Sequence, residues 1–370
     1  MKLLIAAPGA IPARTANSIQ TMKMAQAFAV GGHDVRVLVP GTTPGVGWED
    51  LARHYGLTTR FEVAWLESPL RLRGYTFAVQ ANRYARTWGA HAVFTRHPQT
   101  AALAARRMRT ILEIHDLPQG RMGPLLFTLF MRARHADRLV CISRALASDL
   151  SKTFGFRADE PFSLIAPDGV DLARYADVPE PESARAGLGL RQVFTAGYTG
   201  HLYPGRGADL ILEIARRMPE INFLLVGGEP AQVADMRARA AALPNVKLTG
   251  FVPNADLPRY QAACDVLLMP YQPRVAASSG GDIGRYLSPM KMFEYLACAR
   301  PILSSDLPVL REVLTEDNAV LLPPTDPQPW ADALRALAKD PARRAAFSVA
   351  ARATAEQHTW EARARRIIET

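Results

Sequence analysis

Three short segments of the 370-residue chain combine cations, glycines or an imidazole with the turn residues that would expose them. In Gly200-His201-Leu202-Tyr203-Pro204-Gly205-Arg206-Gly207, the glycines let backbone come close to a ligand, and Arg206 offers a planar, permanently charged fork suited to phosphate. The same pattern also reads as a strand–helix turn that simply needs glycine. In the segment Leu287–Ala297, Ser288 is expected as a helix N-cap and Pro289 as the first helical residue, so that free N–H groups project at the helix start. Lys291 lies in the first turn, where a cation opposes the helix dipole, and a bound pyrophosphate would remove that conflict. Glu294 follows within two turns, placed to accept hydrogen bonds from a ribose diol. A surface helix with an ordinary lysine and glutamate is the plainer alternative. In Ile111–Leu117 a strand runs directly into His115-Asp116, which puts an imidazole at its carboxyl end. There it can bond a sugar hydroxyl or an oxyanion, or serve the structure alone.

These segments need a frame that brings strand ends against helix starts. Lys2–Ala7 is a short apolar run followed by Pro8-Gly9-Ala10 and a polar stretch, Pro12–Gln20. Met22, Ala25, Phe28 and Ala29 then recur at helical spacing until Gly31-Gly32, and Val35–Val39 reads as the next strand. The second half repeats the order: strand Phe194–Tyr198, loop Thr199–Gly207, helix Ala208–Met218 and strand Ile221–Val226, closed by Gly227-Gly228. Val246–Leu248, Asp265–Met269 and Ile302–Ser304 add further strands. Two parallel α/β repeats of Rossmann type are expected, joined by a proline-rich acidic linker at Val178–Ser183. In such sheets ligands sit at the carboxyl ends of the strands.

Periplasmic binding proteins and dinucleotide dehydrogenases share that outline. The first apolar run stops at Pro8-Gly9, short of the roughly 7–15 residues of an export-signal core, and reads as a buried strand. The loop Gly9-Ala10-Ile11-Pro12 lacks the G-x-G-x-x-G of a dinucleotide site. Cys141, Cys264 and Cys298 are too far apart to form a disulfide framework or a zinc motif, which fits a cytoplasmic protein with three buried thiols. The formal charge of +9 is concentrated early, because residues 71–144 hold 13 arginines against Glu113, Asp116 and Asp137. Such a stretch attracts polyanions, nucleic acid or an anionic membrane surface, unless it is simply scattered solvated charge. No nucleic-acid recognition motif accompanies it.

With the three loops in hand, the chain resembles retaining glycosyltransferase family 4, of GT-B architecture. The resemblance is carried most specifically by Ser288-Pro289-Met290-Lys291-Met292-Phe293-Glu294-Tyr295-Leu296-Ala297 and by Arg300–Asp306 through Leu310-Arg311-Glu312. Gly32-His33-Asp34-Val35, His115-Asp116, Cys141-Ile142-Ser143, Ala166–Asp171, Gly227-Gly228 and Thr359-Trp360-Glu361 match as well. It implies two facing Rossmann-like domains about a deep cleft: 1–177 with a returning helix at 358–370 for the acceptor, and 178–357 for the nucleotide sugar.

By position, the resemblance implies that Glu294 holds the donor ribose, while Arg206 and the amides around Met290 and Lys291 hold the diphosphate. His115 would contact the transferred sugar, the loop Gly9–Thr15 would close over the diphosphate, and Gly250-Phe251-Val252 would flank the base. It implies no bound metal, and no D-x-D motif lies near a donor loop. Three positions depart from the family pattern. His201 stands where arginine is usual, Arg206 where lysine is usual, and Tyr286 occupies the place of an acid eight residues before Glu294.

The mechanism so implied stabilises the leaving diphosphate through Arg206 and Lys291, with same-face transfer and retention. Gly123–Arg134 runs from apolar residues into arginines, as an interfacial helix meeting anionic lipid does, or as a core helix with a solvated basic end. A lipid-linked or membrane-associated glycan acceptor, met peripherally on the inner face of a membrane, is the corresponding expectation. An epimerase of the same fold and a non-catalytic nucleotide-sugar binder are the rival functions.

Overall fold

The computed structural model describes residues 1–7, 9–68, 74–156, 162–276 and 281–369. The chain divides into one unit of Met1–Asp168 with Trp360–Thr370, and a second of Gly169–Thr359.

The first unit is a parallel sheet of β1 (Lys2–Ala6), β2 (Asp34–Pro40), β3 (Glu62–Leu66), β4 (Ala92–Thr95), β5 (Arg109–Ile114), β6 (Ala136–Cys141) and β7 (Ser163–Ile165). Their order is β3-β2-β1-β4-β5-β6-β7. The connecting helices are α1 (Ala16–Val30), α2 (Trp48–Tyr55), α3 (Tyr75–Trp88), α4 (Pro98–Ala104), α5 (Met122–Met131) and α6 (Arg144–Phe154). The central strands carry continuous apolar runs, Leu3-Leu4-Ile5 and Ala92-Val93-Phe94, because helices cover both faces of a parallel sheet. The order reverses between β1 and β4, and a sheet that reverses opens a crevice at its carboxyl ends.

Helix α1 begins earlier than its apolar spacing indicates. Half of the polar stretch Pro12–Gln20 is helical, capped by Thr15, whose hydroxyl accepts from the Ser18 N–H at 3.3 Å. The polar side chains are buried and bonded. Ser18 donates to the Ala13 carbonyl at 2.7 Å, Lys23 to the Gly56 carbonyl at 2.7 Å, and Gln26 accepts from the Thr58 N–H at 2.6 Å. A helix that buries polar groups on specific partners shows no apolar stripe.

The second unit contains α7 (Pro181–Gly187), β8 (Thr195–Thr199), α8 (Ala208–Arg217), β9 (Asn222–Val226), α9 (Pro230–Arg239) and β10 (Val246–Gly250). It continues with α10 (Leu257–Ala262), β11 (Val266–Met269), α11 (Met290–Ala297), β12 (Ile302–Ser305), β13 (Val320–Leu322), α12 (Pro327–Lys339) and α13 (Pro341–Glu356). This sheet is also parallel, in the order β10-β9-β8-β11-β12-β13, with its reversal between β8 and β11.

The boundary falls at Asp168/Gly169 rather than at residue 178, because Val170 and Tyr175 are buried in the core of the second unit with Tyr295 and Leu296. Val178 packs on the same core and Pro181–Gly187 is helical, so Val178–Ser183 is part of this unit and not a linker.

The last helix, α14 (Trp360–Ile368), joins the first unit and packs on α1. Its closing carbonyls are taken up by arginines from the sheet. Arg138 donates to the carbonyls of Ile367 at 3.2 Å and Glu369 at 2.7 Å, and Arg109 to that of Ile368 at 2.9 Å. Cations at a helix C-terminus satisfy orphan carbonyls and favour the dipole.

Candidate functional site

In the second unit the carboxyl end of β8 turns at Gly200, whose φ of +131° is a conformation open chiefly to glycine. A Cβ there would fall 2.8 Å from Lys291 Nζ, so the absent side chain is what admits the lysine. That ammonium lies 3.8 Å from the centroid of the Tyr198 ring and 5.4 Å from that of Tyr271. It has no hydrogen-bond partner among the described residues. Burial, and next Arg206, drive its pKa well below 10.5, with Glu294 pulling the other way. Arg206 Nη1 donates to the Tyr271 hydroxyl at 3.0 Å, and its Nε is likewise unpartnered. Two cations thus meet at the Tyr271 ring with donors unspent, an arrangement that a dianionic phosphate would complete.

Helix α11 starts one residue later than its sequence suggests. Pro289 is the N-cap, in extended conformation (φ −79°, ψ 122°), and no side chain caps the helix, so Ser288 is not the cap. Met290 and Lys291 open the first turn, where N–H groups have no preceding helical carbonyl. Glu294 is held by the fully buried Gln261, whose amide donates to Oε2 at 3.3 Å, while Gln261 Oε1 accepts from Tyr175 at 2.7 Å. His201 lies flat on Tyr203, with centroids 4.8 Å apart and planes at 18°, and its carbonyl accepts from the Tyr198 hydroxyl at 2.5 Å. Tyr286 is buried in the short turn ahead of α11. At the end of β10, Gly250 accepts from the Gly227 N–H at 2.8 Å, Val252 packs inward and the Phe251 ring is 37% exposed.

Gly9 and His115 belong to the first unit. The loop after β1 is pinned there: Trp65 Nε1 donates to the Ile11 carbonyl at 2.8 Å, and the Ala13 N–H donates to Tyr55 at 2.8 Å. His115 follows β5 and sits beside buried charge. Its Nε2 lies 2.5 Å from Glu113 Oε1, which also accepts from Gln20 at 2.5 Å, while Glu113 Oε2 accepts from Arg363 at 2.8 Å. Burial, and next Arg96, lower the His115 pKa to about 4, so the ring is neutral near pH 7.

Sequence reasoning missed Glu113, Arg363 and Gln261, and the aromatic walls Tyr198 and Tyr271. A carboxylate inside Ile111-Leu112-Glu113-Ile114 was the one readable signal, since an acid in a central strand demands a partner. Of the arginines in 71–144, Arg71 and Arg73 lie outside the described residues. Within that segment α5 buries Leu126, Phe127 and Phe130 yet exposes Met122, Leu125 and Leu129 to about half. No described helix is long and apolar enough to cross a membrane.

The family model "Glycosyl transferases group 1" matches residues 193–340, and "Glycosyltransferase Family 4" matches residues 18–174. A D-inositol 3-phosphate glycosyltransferase of Kineococcus radiotolerans is 29% identical over 259 residues, 63% of this chain and 56% of that one. The chain therefore spans little more than half the length of that relative. A phosphatidyl-myo-inositol mannosyltransferase of Mycolicibacterium smegmatis is 24% identical over 371 residues, covering 94% of this chain and 88% of the relative. Among solved structures, Anabaena HepE in complex with UDP and glucose superposes with a TM-score of 0.75 at 19% identity, covering 100% of this chain and 98% of that one. That likeness bears on the fold: two parallel Rossmann-like sheets of GT-B type.

Proposed function

The chain belongs to glycosyltransferase family 4, and from that premise we propose that it moves a sugar from a nucleoside-diphosphate sugar to a lipid-linked or membrane-associated glycan, with retention at the anomeric carbon. The observation that carries the donor half is the pair of unpartnered cationic atoms, Lys291 Nζ and Arg206 Nε, on side chains that share the Tyr271 ring. Negative charge grows on the diphosphate as the anomeric C–O bond breaks, and cations already in place stabilise it without reorganising. The acceptor oxygen bonds the anomeric carbon on the same face, and its proton passes to the departing phosphate oxygen.

In this reading Glu294 accepts from the donor ribose, the amides of Met290 and Lys291 bond the diphosphate, and the exposed Phe251 ring stacks on the base. His115 bonds a hydroxyl of the transferred sugar. Charge neutralisation by Arg206, Lys291 and the helix start gives the reaction no need of a divalent ion.

The acceptor half is supported by the name of one relative, a phosphatidyl-myo-inositol mannosyltransferase. It is supported too by α5, where Met122, Leu125 and Leu129 form an exposed apolar stripe between the exposed Arg121 and Arg132. A stripe of that kind suits the surface of an anionic bilayer on the cytoplasmic side.

Thermal stabilisation by UDP, GDP, ADP and CMP, with and without added metal, tests the donor site and names the base. A shift with one diphosphate in EDTA supports it; no shift with any nucleotide overturns it. Failure to bind anionic phospholipid vesicles at low salt would remove the membrane part alone.

A further inference from the structure

We infer that Arg363 is a positioning residue for His115, acting through Glu113 to fix which imidazole nitrogen carries the proton. The inference deepens the proposed function, since it rests on His115 meeting the transferred sugar. It concerns a residue that lies in the last helix, far along the chain from the strand it serves.

Arg363 and Glu113 are 3% and 0% exposed at their side chains, and they pair at 2.8 Å. Four further contacts hold the guanidinium in place: Nε donates to the carbonyls of Pro167 at 2.8 Å and Ala166 at 3.3 Å, Nη2 to the Ala166 carbonyl at 3.0 Å, and Nη1 faces Met24 Sδ at 2.9 Å. The carboxylate is therefore fixed in plane and position, and it stays ionised. Burial would raise its pKa, but Arg363 and the His115 hydrogen bond outweigh that and hold it far below the usual carboxylate range. An ionised carboxylate only accepts. The 2.5 Å contact from His115 Nε2 to Glu113 Oε1 must therefore carry its proton on Nε2.

The consequence is chemical. A neutral imidazole protonated at Nε2 keeps a lone pair on Nδ1, which makes no hydrogen bond among the described residues. His115 then meets its substrate as an acceptor: it can take the O–H of a sugar hydroxyl, and it has no proton to give an oxyanion. The charged groups around the ring are Glu113 on β5, Arg96 after β4 and Arg363 on α14, with Asp116 next in sequence; Asp168 after β7 faces the same Arg363, Glu113 and Arg96, and burial raises its carboxyl to about 7. Arg96 and Arg363 both disfavour the imidazolium and Glu113 favours it.

The test uses the full-length protein labelled with 15N-histidine, with long-range proton–nitrogen spectra and donor-dependent turnover measured from pH 5 to 8. His115 is assigned by the signals lost in His115→Gln. In the wild type we expect the Nε2–H form, neutral throughout that range. In Arg363→Met, loss of one nearby cation raises the imidazole pKa by roughly one unit. The acid limb of kcat should move up with it, while donor KM stays within about twofold and kcat falls on the order of 10- to 100-fold. Arg363→Lys restores the charge and returns the acid limb toward wild type, an outcome that a merely structural role does not give.

In Glu113→Gln the amide no longer dictates the tautomer, so a mixed population appears. An Nδ1–H wild type, or an Arg363→Met ring that titrates as before, overturns the inference. If Arg363→Met does not fold, Arg363→Lys and Glu113→Gln decide it: a Glu113→Gln protein still wholly Nε2–H would be contrary. Because the ring is read without ligand, a wild type lacking transferase activity sinks the functional reading and not the tautomer.

Discussion

Each unit buries charge at the carboxyl end of its sheet, and the two do so in opposite ways. In the first, Glu113 is saturated: both oxygens are bonded, by Gln20 and His115 on one side and Arg363 on the other. In the second, Lys291 and Arg206 crowd together, and each keeps an atom with no partner among the described residues. A closed cluster holds its shape without a ligand and can orient what stands next to it. An open one carries a desolvation cost that only an incoming anion relieves. The first is built to position and the second to bind.

The largest break in that contrast is expected on the closed side. Glu113→Ala strands Arg363 in a buried site, and removing one partner of a buried pair costs on the order of 3–5 kcal/mol. Urea unfolding monitored by tryptophan fluorescence should show it; a loss under about 1 kcal/mol would mean the cluster is wetter and less closed than its burial indicates. Next comes Arg206→Ala on the open side, where the fold should be kept and catalysis should not. Losing one prearranged donor to a developing oxyanion lowers kcat by about 10²–10³. Full turnover in that variant would remove Arg206 from the leaving-group site.

How much of this contrast was legible in sequence follows from its physics. The open cluster announces itself. Glycine at 200, proline at 289 and a lysine in a first turn are local signals, each tied to a backbone conformation and each readable within its own short segment. Even there the helix start was misplaced by one residue, because Pro289 takes an extended ψ that makes it the cap instead of the first helical residue. The closed cluster is non-local. Arg363 and Glu113 are 250 residues apart, and only the return of α14 to α1 brings them together.

The same logic explains α1, whose first half looked like loop because its buried polar groups answer to Ala13, Gly56 and Thr58 and not to a helical stripe. Gln261 gave no signal at all, being a buried amide whose three partners arrive from separate elements. β13 was overlooked for a plainer reason, since three residues are too few to show a period.

A smaller effect sharpens the binding half. A nucleoside diphosphate at a hundred times its dissociation constant should stabilise the protein by about 2.7 kcal/mol. EDTA should leave that shift in place, and Lys291→Met should abolish it. A shift that appears only with added divalent ion would assign part of the diphosphate charge to a metal and contradict the reading of two sufficient cations.

The subtlest test is the pH dependence of the unliganded protein. Burial, then Arg206, holds the folded-state pKa of Lys291 well below 10.5, so over the interval between the two values the unfolded chain binds more protons than the folded one. Stability should therefore rise as pH climbs through that interval and level off above the unfolded value. This is opposite in sense to a lysine that gains a partner on folding, whose contribution is lost as pH rises. Other groups titrate in the same range, so the difference between wild type and Lys291→Met isolates the term: Met should be the more stable at pH 7, with the gap closing toward pH 10. A saturating nucleoside diphosphate supplies the missing anion and should flatten the slope. If wild type and Lys291→Met run parallel from pH 7 to 10, the ammonium is already satisfied by solvent, and the second unit's cluster is as closed as the first.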